Sequence, residues 1–534
     1  RCASSGWHGK YKPLAHCRAN PPATLPMPAT SPSQASPANA AAQHCTTRHT
    51  PNSAPHIVLV GAGWAGCAAA VRAVQNGAKV TLLEASRTLG GRARSMELAT
   101  APAGALDNGQ HIMLAAYTDT LALMRTIGAC PETLLQRLPL DLRTPDGCGL
   151  AVQPSQHPHL ATFCAILRAQ GWSWRDKASL LLAAARWQLQ RFYCAPEVSV
   201  QTLCRHISPR VHTSLIEPLC IAAFNSKPAH TSAAVFLRVL RDALLLHANH
   251  ADALIARTPI GQILPEPAHN WLQQAGATVL TGQRVLAISH EAPTTTATTT
   301  AATACNNSDT PNWRVHCNNL PNAISANHII LACPAWEAAR LVQHWLDTHP
   351  APNHYTSHNA NQATARHWAQ QAAALQHNPI ATVYAWCATT ACQHLPPMQA
   401  LHCHSPEQAQ FVFHHPQHQR QSENGQQQTL LAFVASTCSL DRTALQTAVL
   451  QQAAQQLGLH GLQAIQTTIE KRATFLCSPA LPRPAPHIAK GLLACGDYIQ
   501  GPYPATLEGA VRSGLQAANL ATNCPNSSKN NNNS

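Results

Sequence analysis

The residues with most chemistry to offer are three glycines, an acid, and a second glycine pair followed by arginine. Gly61, Gly63 and Gly66 stand in GAGWAG, after the apolar run HIVLV and before an Ala-rich segment. In such a turn Gly61 permits the sharp bend. Gly63 leaves room for a pyrophosphate against the backbone, and Gly66 lets helix and strand pack closely. A helix starting at Trp64 and Ala65 offers free N–H groups and the positive end of its dipole to phosphates. Glu84 ends the next apolar run, KVTLLE, where a carboxylate can accept from both ribose hydroxyls of an adenosine. G-x-G-x-x-G alone also arises in Ala/Gly-rich helix starts; the strand–turn–helix–strand–acid order makes this a dinucleotide-binding unit. Ala85 follows at the same edge. Gly90, Gly91 and Arg92 come soon after, placed for a further phosphate contact that nicotinamide dehydrogenases do not need.

This extended pattern resembles the FAD-binding start of the amine oxidase and phytoene desaturase superfamily. The far end of the chain agrees. GLLACGD (Gly491–Asp497) is an apolar strand ending in Gly496-Asp497, and PATLEGAVRSG (Pro504–Gly514) opens a helix. The resemblance implies that Asp497 binds the ribityl or pyrophosphate region. It also implies that the backbone near Ala505 and Thr506 faces the flavin pyrimidine, where a helix N-terminus stabilises negative charge. ATVLTGQRVLA (Ala277–Ala287) matches the strand pair whose valine backbone meets the adenine, here Val285.

Further segments resemble, in order, the squalene-associated members of that superfamily, the hydroxysqualene dehydroxylases of bacterial hopanoid synthesis. They include DNGQHIMLAAYTDTLALMRTIG (Asp107–Gly128), EPLCIAAFNSKP (Glu217–Pro228), LACPAWEAARLV (Leu331–Val342) and EKRATF (Glu470–Phe475). The resemblance implies loss of a hydroxyl from hydroxysqualene to give squalene, with a long apolar isoprenoid as substrate. It places His111, in DNGQH, beside the flavin. A histidine there is a candidate catalytic acid near neutral pH, or a structural hydrogen bond. Asp107 reads as shaping the turn; Glu217, Asn225 and Tyr503 are weaker candidates to face the substrate. There is no second dinucleotide motif, so the electron donor to the flavin is unknown.

Two other classes remain open. A polyene desaturase or amine oxidase would share every cofactor residue, and an escort protein would not need them. Aromatic residues make up only 5% of the chain, which weighs mildly against the aromatic cage of an amine oxidase.

The elements that must position these residues alternate between strand and helix. His56–Val60, Lys79–Glu84, Ala277–Leu280 and His328–Cys333 read as strands, and Trp64–Asn76 as a helix ended by Gly77. Ala178–Phe192 and Ser232–His247 read as amphipathic helices that could wall a substrate tunnel. The later strands Ala381–Trp386, Gln410–His414 and Leu430–Ala435 suggest a second sheet. The expected fold is α/β: a Rossmann-like FAD-binding domain from residues 55–134, 266–346 and 476–523, interleaved with a mixed sheet-plus-helices substrate domain from 135–265 and 347–475. Residues 1–54 read as a structureless extension, with a transit peptide as the alternative reading. Residues 293–312 and His349–Gln362 read as inserted loops, and 524–534 as a tail.

Composition sets the remaining bounds. The 534 residues carry a net charge of +13, five of it in residues 1–54, which contain no acid. No Lys/Arg block tracks a nucleic-acid backbone, so no nucleic-acid partner is expected. No apolar run is long enough to span a bilayer. A squalene-sized substrate implies peripheral membrane contact, hence a cytoplasmic protein at the inner face of the cytoplasmic membrane. The 20 Cys and 31 His are scattered without C-x-x-C pairs. They read as small apolar residues in a reducing compartment rather than as a metal site.

Overall fold

The computed structural model describes residues 54–97, 105–290, 313–348 and 356–522. The extensions at either end, apart from Ala54, and the inserted loop 293–312 lie outside those residues.

His56–Val60 lies at the centre of a six-stranded sheet, parallel to Lys79–Leu83 on one side and His328–Leu331 on the other. Thr278–Leu280 and Leu492–Ala494 extend the parallel set outward, and His487–Ala489 closes one edge antiparallel. The central strand is apolar throughout because both faces are covered. Ile57 and Leu59 pack with helices Trp64–Gln75 and Leu507–Ala521. Val58 and Val60 pack with helix Ala335–Thr348. The first and last helices meet backbone to backbone: a Cβ on Gly514 would fall 2.2 Å from the Ala65 carbonyl oxygen. Small residues along GCAAAVRA permit this approach, and nine of the twelve residues of Trp64–Gln75 are buried.

The second sheet is antiparallel, in the order Met398–Ala400, Phe411–Gln421, Gln427–Ser436, His377–Ala388, Gln463–Phe475. Two of its strands extend the expected ones at both ends, Phe411–Gln421 extends its expectation only at the far end, and Gln463–Phe475 joins as a long edge. Alternation along the strand sorts its two faces. Val383, Ala385 and Cys387 pack on helix Arg442–Leu457. Tyr384 and Trp386 face a layer of helices that includes Pro158–Arg168, Trp174–Leu189, Glu217–Phe224 and Ala233–Leu240. A three-stranded sheet, Leu135–Leu138, Ala253–Ala256 and Ile112–Leu114, brackets that layer.

Two expectations are corrected. Ser232–His247 is not one regular helix: Ala233–Leu240 passes into a π-helical turn, Arg241–Leu245, where the Asp242 carboxylate accepts from the Tyr503 hydroxyl at 2.9 Å. His349–Gln362 is not wholly a loop, because a helix runs Thr356–Ala373. Its later turns bury Trp368, Ala369 and Ala372 against Leu341, Val342 and Trp345, so packing overrides the weak helix propensity of TSHNANQ. Of the fifteen cysteines among the described residues, ten are buried, as small apolar residues would be.

Candidate cofactor and substrate site

Gly61 leaves the central strand at φ +108°, and a Cβ there would lie 2.8 Å from the Ala332 carbonyl oxygen of the neighbouring strand end. The chain leads away from these two strands to opposite sides of the sheet. That is the topological switch point, where open α/β sheets hold ligands. A Cβ on Gly66 would meet the Gly61 carbonyl oxygen at 1.9 Å, so the first helix starts hard against the turn. Its N-terminus has no side-chain cap and no acid in the first turn, which leaves N–H groups for an anion. Gly91, at φ +61°, packs directly on this turn and borders the crevice with it: a Cβ there would sit 3.2 Å from the Gly63 Cα, and the Gly90 N–H donates to the Ala62 carbonyl at 2.8 Å. Two stretches of bare backbone thus face each other. Trp64 and Ala65 are buried behind them, and the Trp64 ring N–H donates to the Ala93 carbonyl at 3.2 Å.

At one end of the crevice Glu84 accepts from the Ala62 N–H at 2.7 Å and the Ser86 N–H at 2.8 Å. The Gln283 N–H donates to the Glu84 carbonyl at 2.8 Å, which brings buried Val285 to the same end. The Val285 carbonyl accepts from Arg340 at 3.2 Å. Ala85 is exposed.

Toward the other end, Arg92 pairs with Asp497 at 2.5 Å and donates to the Ala473 carbonyl at 2.8 Å. Burial works against the guanidinium charge, but the Asp497 carboxylate outweighs it and holds Arg92 above its ordinary value. The Ala505 N–H donates to the Asp497 carbonyl at 3.1 Å. Thr506 caps the terminal helix, its hydroxyl accepting from the Gly509 N–H at 2.9 Å, and the Gly496 N–H donates to Ser513 at 3.1 Å. A second helix N-terminus therefore arrives beside the Arg92–Asp497 pair. It is fixed there by Glu508, buried in its first turn, which accepts from the Thr120 N–H and hydroxyl and the Asp119 N–H. Glu508 was missed in the sequence; the signal was an acid in an otherwise small and apolar helix face.

The turn 107–111 joins this region to the second sheet. The Asn108 side chain donates to the Arg92 carbonyl at 3.3 Å, Gln110 N–H donates to the Thr382 hydroxyl at 3.4 Å, and Tyr384 donates to the Asp107 carbonyl at 3.0 Å. Burial pushes His111 down to about 4, partly offset by a hydrogen bond with the Gly109 backbone, and its Nδ1 has no partner. Burial thus favours the neutral imidazole. Burial acts oppositely on Asp107, raising its carboxyl to about 6 although Ile260 N–H and Ser95 donate to it. A small cleft opens there, lined by Leu106, Asp107, Gln110, Thr258, Tyr384 and His415 among others. His415, buried and held low to about 3, meets the Gln110 side chain at 3.0 Å. Gln110 stands in the DNGQH segment, but none of Thr382, Tyr384 or His415 carried a sequence motif. Tyr503 is engaged with Asp242. Asn225, one of the weaker substrate candidates, is a tether: its side chain donates to the carbonyls of Asn378 and Pro379 and to Thr474, and accepts from Thr437 N–H. Glu217 lies in the first turn of its helix.

A profile described as "Flavin containing amine oxidoreductase" matches residues 64–522. The chain belongs to that family. It is an FAD-dependent oxidoreductase, and the bare-backbone crevice flanked by two helix N-termini fits such a dinucleotide. A hydroxysqualene dehydroxylase of Sinorhizobium fredii is 27% identical over 238 residues, 42% of this chain and 52% of that protein. One from Rhodopseudomonas palustris is 30% identical over 237 residues, 43% of this chain and 54% of that protein. These alignments span about half the length of the curated relatives. Among solved structures, the cyclohexylamine oxidase of Brevibacterium oxydans aligns at TM-score 0.57 and 15% identity, over 88% of this chain and 99% of that one. An oxidoreductase from Methanosarcina mazei gives 0.58 at 13%, over 86% and 99%. At such identities the two structures speak to fold alone. Among the described residues no helix is long and apolar enough to cross a membrane, and no group of three or more His, Cys, Asp or Glu gathers to hold a metal.

Proposed function

We propose that this enzyme removes the hydroxyl of hydroxysqualene to give squalene. The similarity to the two dehydroxylases supports the reading, and one structural observation carries it. A single buried apolar cluster runs from the outer helices, through Ile166, Trp187 and Phe236, to Leu106 and Tyr384 beside the turn 107–111. At its inner end a small cleft brings Asp107, Gln110, Thr258 and His415 together, polar groups suited to the one hydroxyl of a hydrocarbon.

In this reading residues 55–134, 266–346 and 476–523 form the FAD domain and the intervening stretches the substrate domain. Gly61, Gly63, Trp64, Ala65, Gly66, Gly91 and Arg92 hold the pyrophosphate side. Glu84, Ala85 and Val285 hold the adenosine, and Gly496, Asp497 and Thr506 the ribityl and flavin end. When bound and reduced, FAD supplies a hydride equivalent. The carbon–oxygen bond then breaks, a carbon–hydrogen bond forms, and the oxygen leaves as water once protonated. Among the groups lining the cleft, the carboxyl that burial raises toward neutrality is Asp107, so we assign the proton to it. His111 lies in the same turn, and the apolar walls exclude water. Substrate arrives from a bilayer that the protein contacts peripherally.

Lipid analysis tests the reading. Dithionite-reduced holoprotein incubated with hydroxysqualene without oxygen should yield squalene. Bound flavin without squalene, together with turnover of amines or polyenes in air, would overturn it.

A further inference from the structure

We propose that helices Pro158–Arg168 and Trp174–Leu189 form a docking surface for an anionic lipid bilayer. This deepens the membrane contact proposed above and rests on that reading of an apolar substrate. Ten large apolar side chains are exposed among the described residues, and six of them sit here: Leu160, Phe163, Trp174, Leu182, Leu189 and Tyr193. Trp174 is 73% exposed and Leu189 86%. Leu182 and Leu189 follow Trp174 after about two and four helical turns, so the three share one face. Leu180 and Trp187 take the opposite, buried face. The helix is thus apolar on both sides, although its outer side meets nothing in the fold. A capping box between Ser173 and Asp176 fixes its start.

Charge selects the occupant. Arg168, Arg175, Arg186 and Arg191 are exposed on or beside these helices, and the Lys177 ammonium lies 5.1 Å over the Trp174 ring. Asp176, held in the capping box, is the one acid on either helix. Apolar anchors among cations are what an interfacial helix presents to acidic headgroups. Each such cation strengthens binding to an acidic membrane by about fivefold. A second copy of the chain would bring the same cations face to face. A cavity of about 360 Å³ adjoins the surface, lined by Leu160, Ala161, Cys164 and Ala165 with Arg143 and Arg168. Ala165 and Ile166 beneath it belong to the apolar cluster that ends at the turn 107–111.

The test is vesicle co-sedimentation of the full-length holoprotein. Vesicles of phosphatidylcholine with about one-third phosphatidylglycerol should retain it, and pure phosphatidylcholine should retain it much less. Trp174→Ser, Leu182→Ser and Leu189→Ser combined should weaken binding at least tenfold. So should Arg175→Glu with Arg186→Glu, which alters only exposed groups and decides the matter if the apolar variant folds poorly. The proposal is overturned if the wild type ignores acidic vesicles or if the charge variant binds as the wild type does. It is equally overturned if the apolar substitutions dissociate a dimer and leave vesicle binding intact. No turnover is measured, so failure of the dehydroxylase reading leaves this result standing.

Discussion

The crevice bordered by Gly63 and Gly91 is walled by backbone, whereas the cleft between Asp107 and His415 is walled by side chains, several of them buried and titratable. A dinucleotide needs the first kind of wall. Its phosphates are satisfied by N–H groups and helix dipoles that any sequence supplies, provided no Cβ intrudes. Chemistry on a lone hydroxyl needs the second kind, because only side chains lose or gain protons. The crevice therefore constrains sequence by what must be missing, and the cleft by what must be present.

The largest effect should come from filling the backbone wall. Gly66→Ala puts a Cβ 1.9 Å from the Gly61 carbonyl oxygen, and neither main chain can yield cheaply. We expect a loss of at least about 3 kcal/mol and little retained flavin, read from absorbance per protein and from thermal melting. Normal flavin content would break the comparison at its root.

Next is Arg92→Ala, which leaves Asp497 nearly buried without its partner. The expected cost is about 3 kcal/mol. Asp497→Asn with Arg92→Ala should recover part of it, because no uncompensated charge is then buried. A double variant as unstable as the single one would show that the pair acts by shape alone.

The cleft should instead reveal itself through pH. Asp107 stands at about 6 in the fold against about 3.9 unfolded. The native state therefore holds the extra proton, and this contribution is full below about pH 4 and lost as pH rises through 6. His111 runs the other way, at about 4 in the fold against about 6.5 unfolded. Its contribution is full above about 6.5 and lost as pH falls toward 4. The two offset. Asp107→Asn keeps the Oδ1 acceptor that both Ile260 N–H and Ser95 use, and it cannot ionise. That variant should gain about 1–2 kcal/mol more than the wild type between about pH 5 and 7, measured by denaturation at each pH. Parallel profiles would place Asp107 in an ordinary environment.

The smallest effect should follow His111→Gln. It replaces a neutral ring whose Nδ1 bonds nothing, so stability should change by less than about 1 kcal/mol with flavin content unchanged. Loss of flavin would move His111 from the cleft's side of the comparison to the crevice's.

The same contrast explains what was legible in the sequence. GAGWAG, Glu84, GGR and GD could be read because glycine is the one residue type that backbone crowding selects, and the spacing fixes the turn. The parallel strands followed from unbroken apolar runs covered on both faces. Most of the cleft could not be read: Thr382, Tyr384 and His415 lie some 270 to 300 residues from Gln110 in DNGQH, and only the register of the antiparallel sheet brings those three together. Asp107 looked like a turn former, since its shift arises from burial that no local pattern encodes. The helix Thr356–Ala373 was hidden because its stability lies in contacts with another helix.

The central claim is that this crevice and this cleft together run a reductive dehydroxylation. Holoprotein reduced by a limiting amount of dithionite should be mixed anaerobically with hydroxysqualene, and flavin reoxidation and squalene quantified from the same tube. Equal amounts of reoxidised flavin and squalene are expected, with the rate falling as pH rises through about 6 and that dependence absent in Asp107→Asn. Flavin that stays reduced, with hydroxysqualene unchanged, would contradict it.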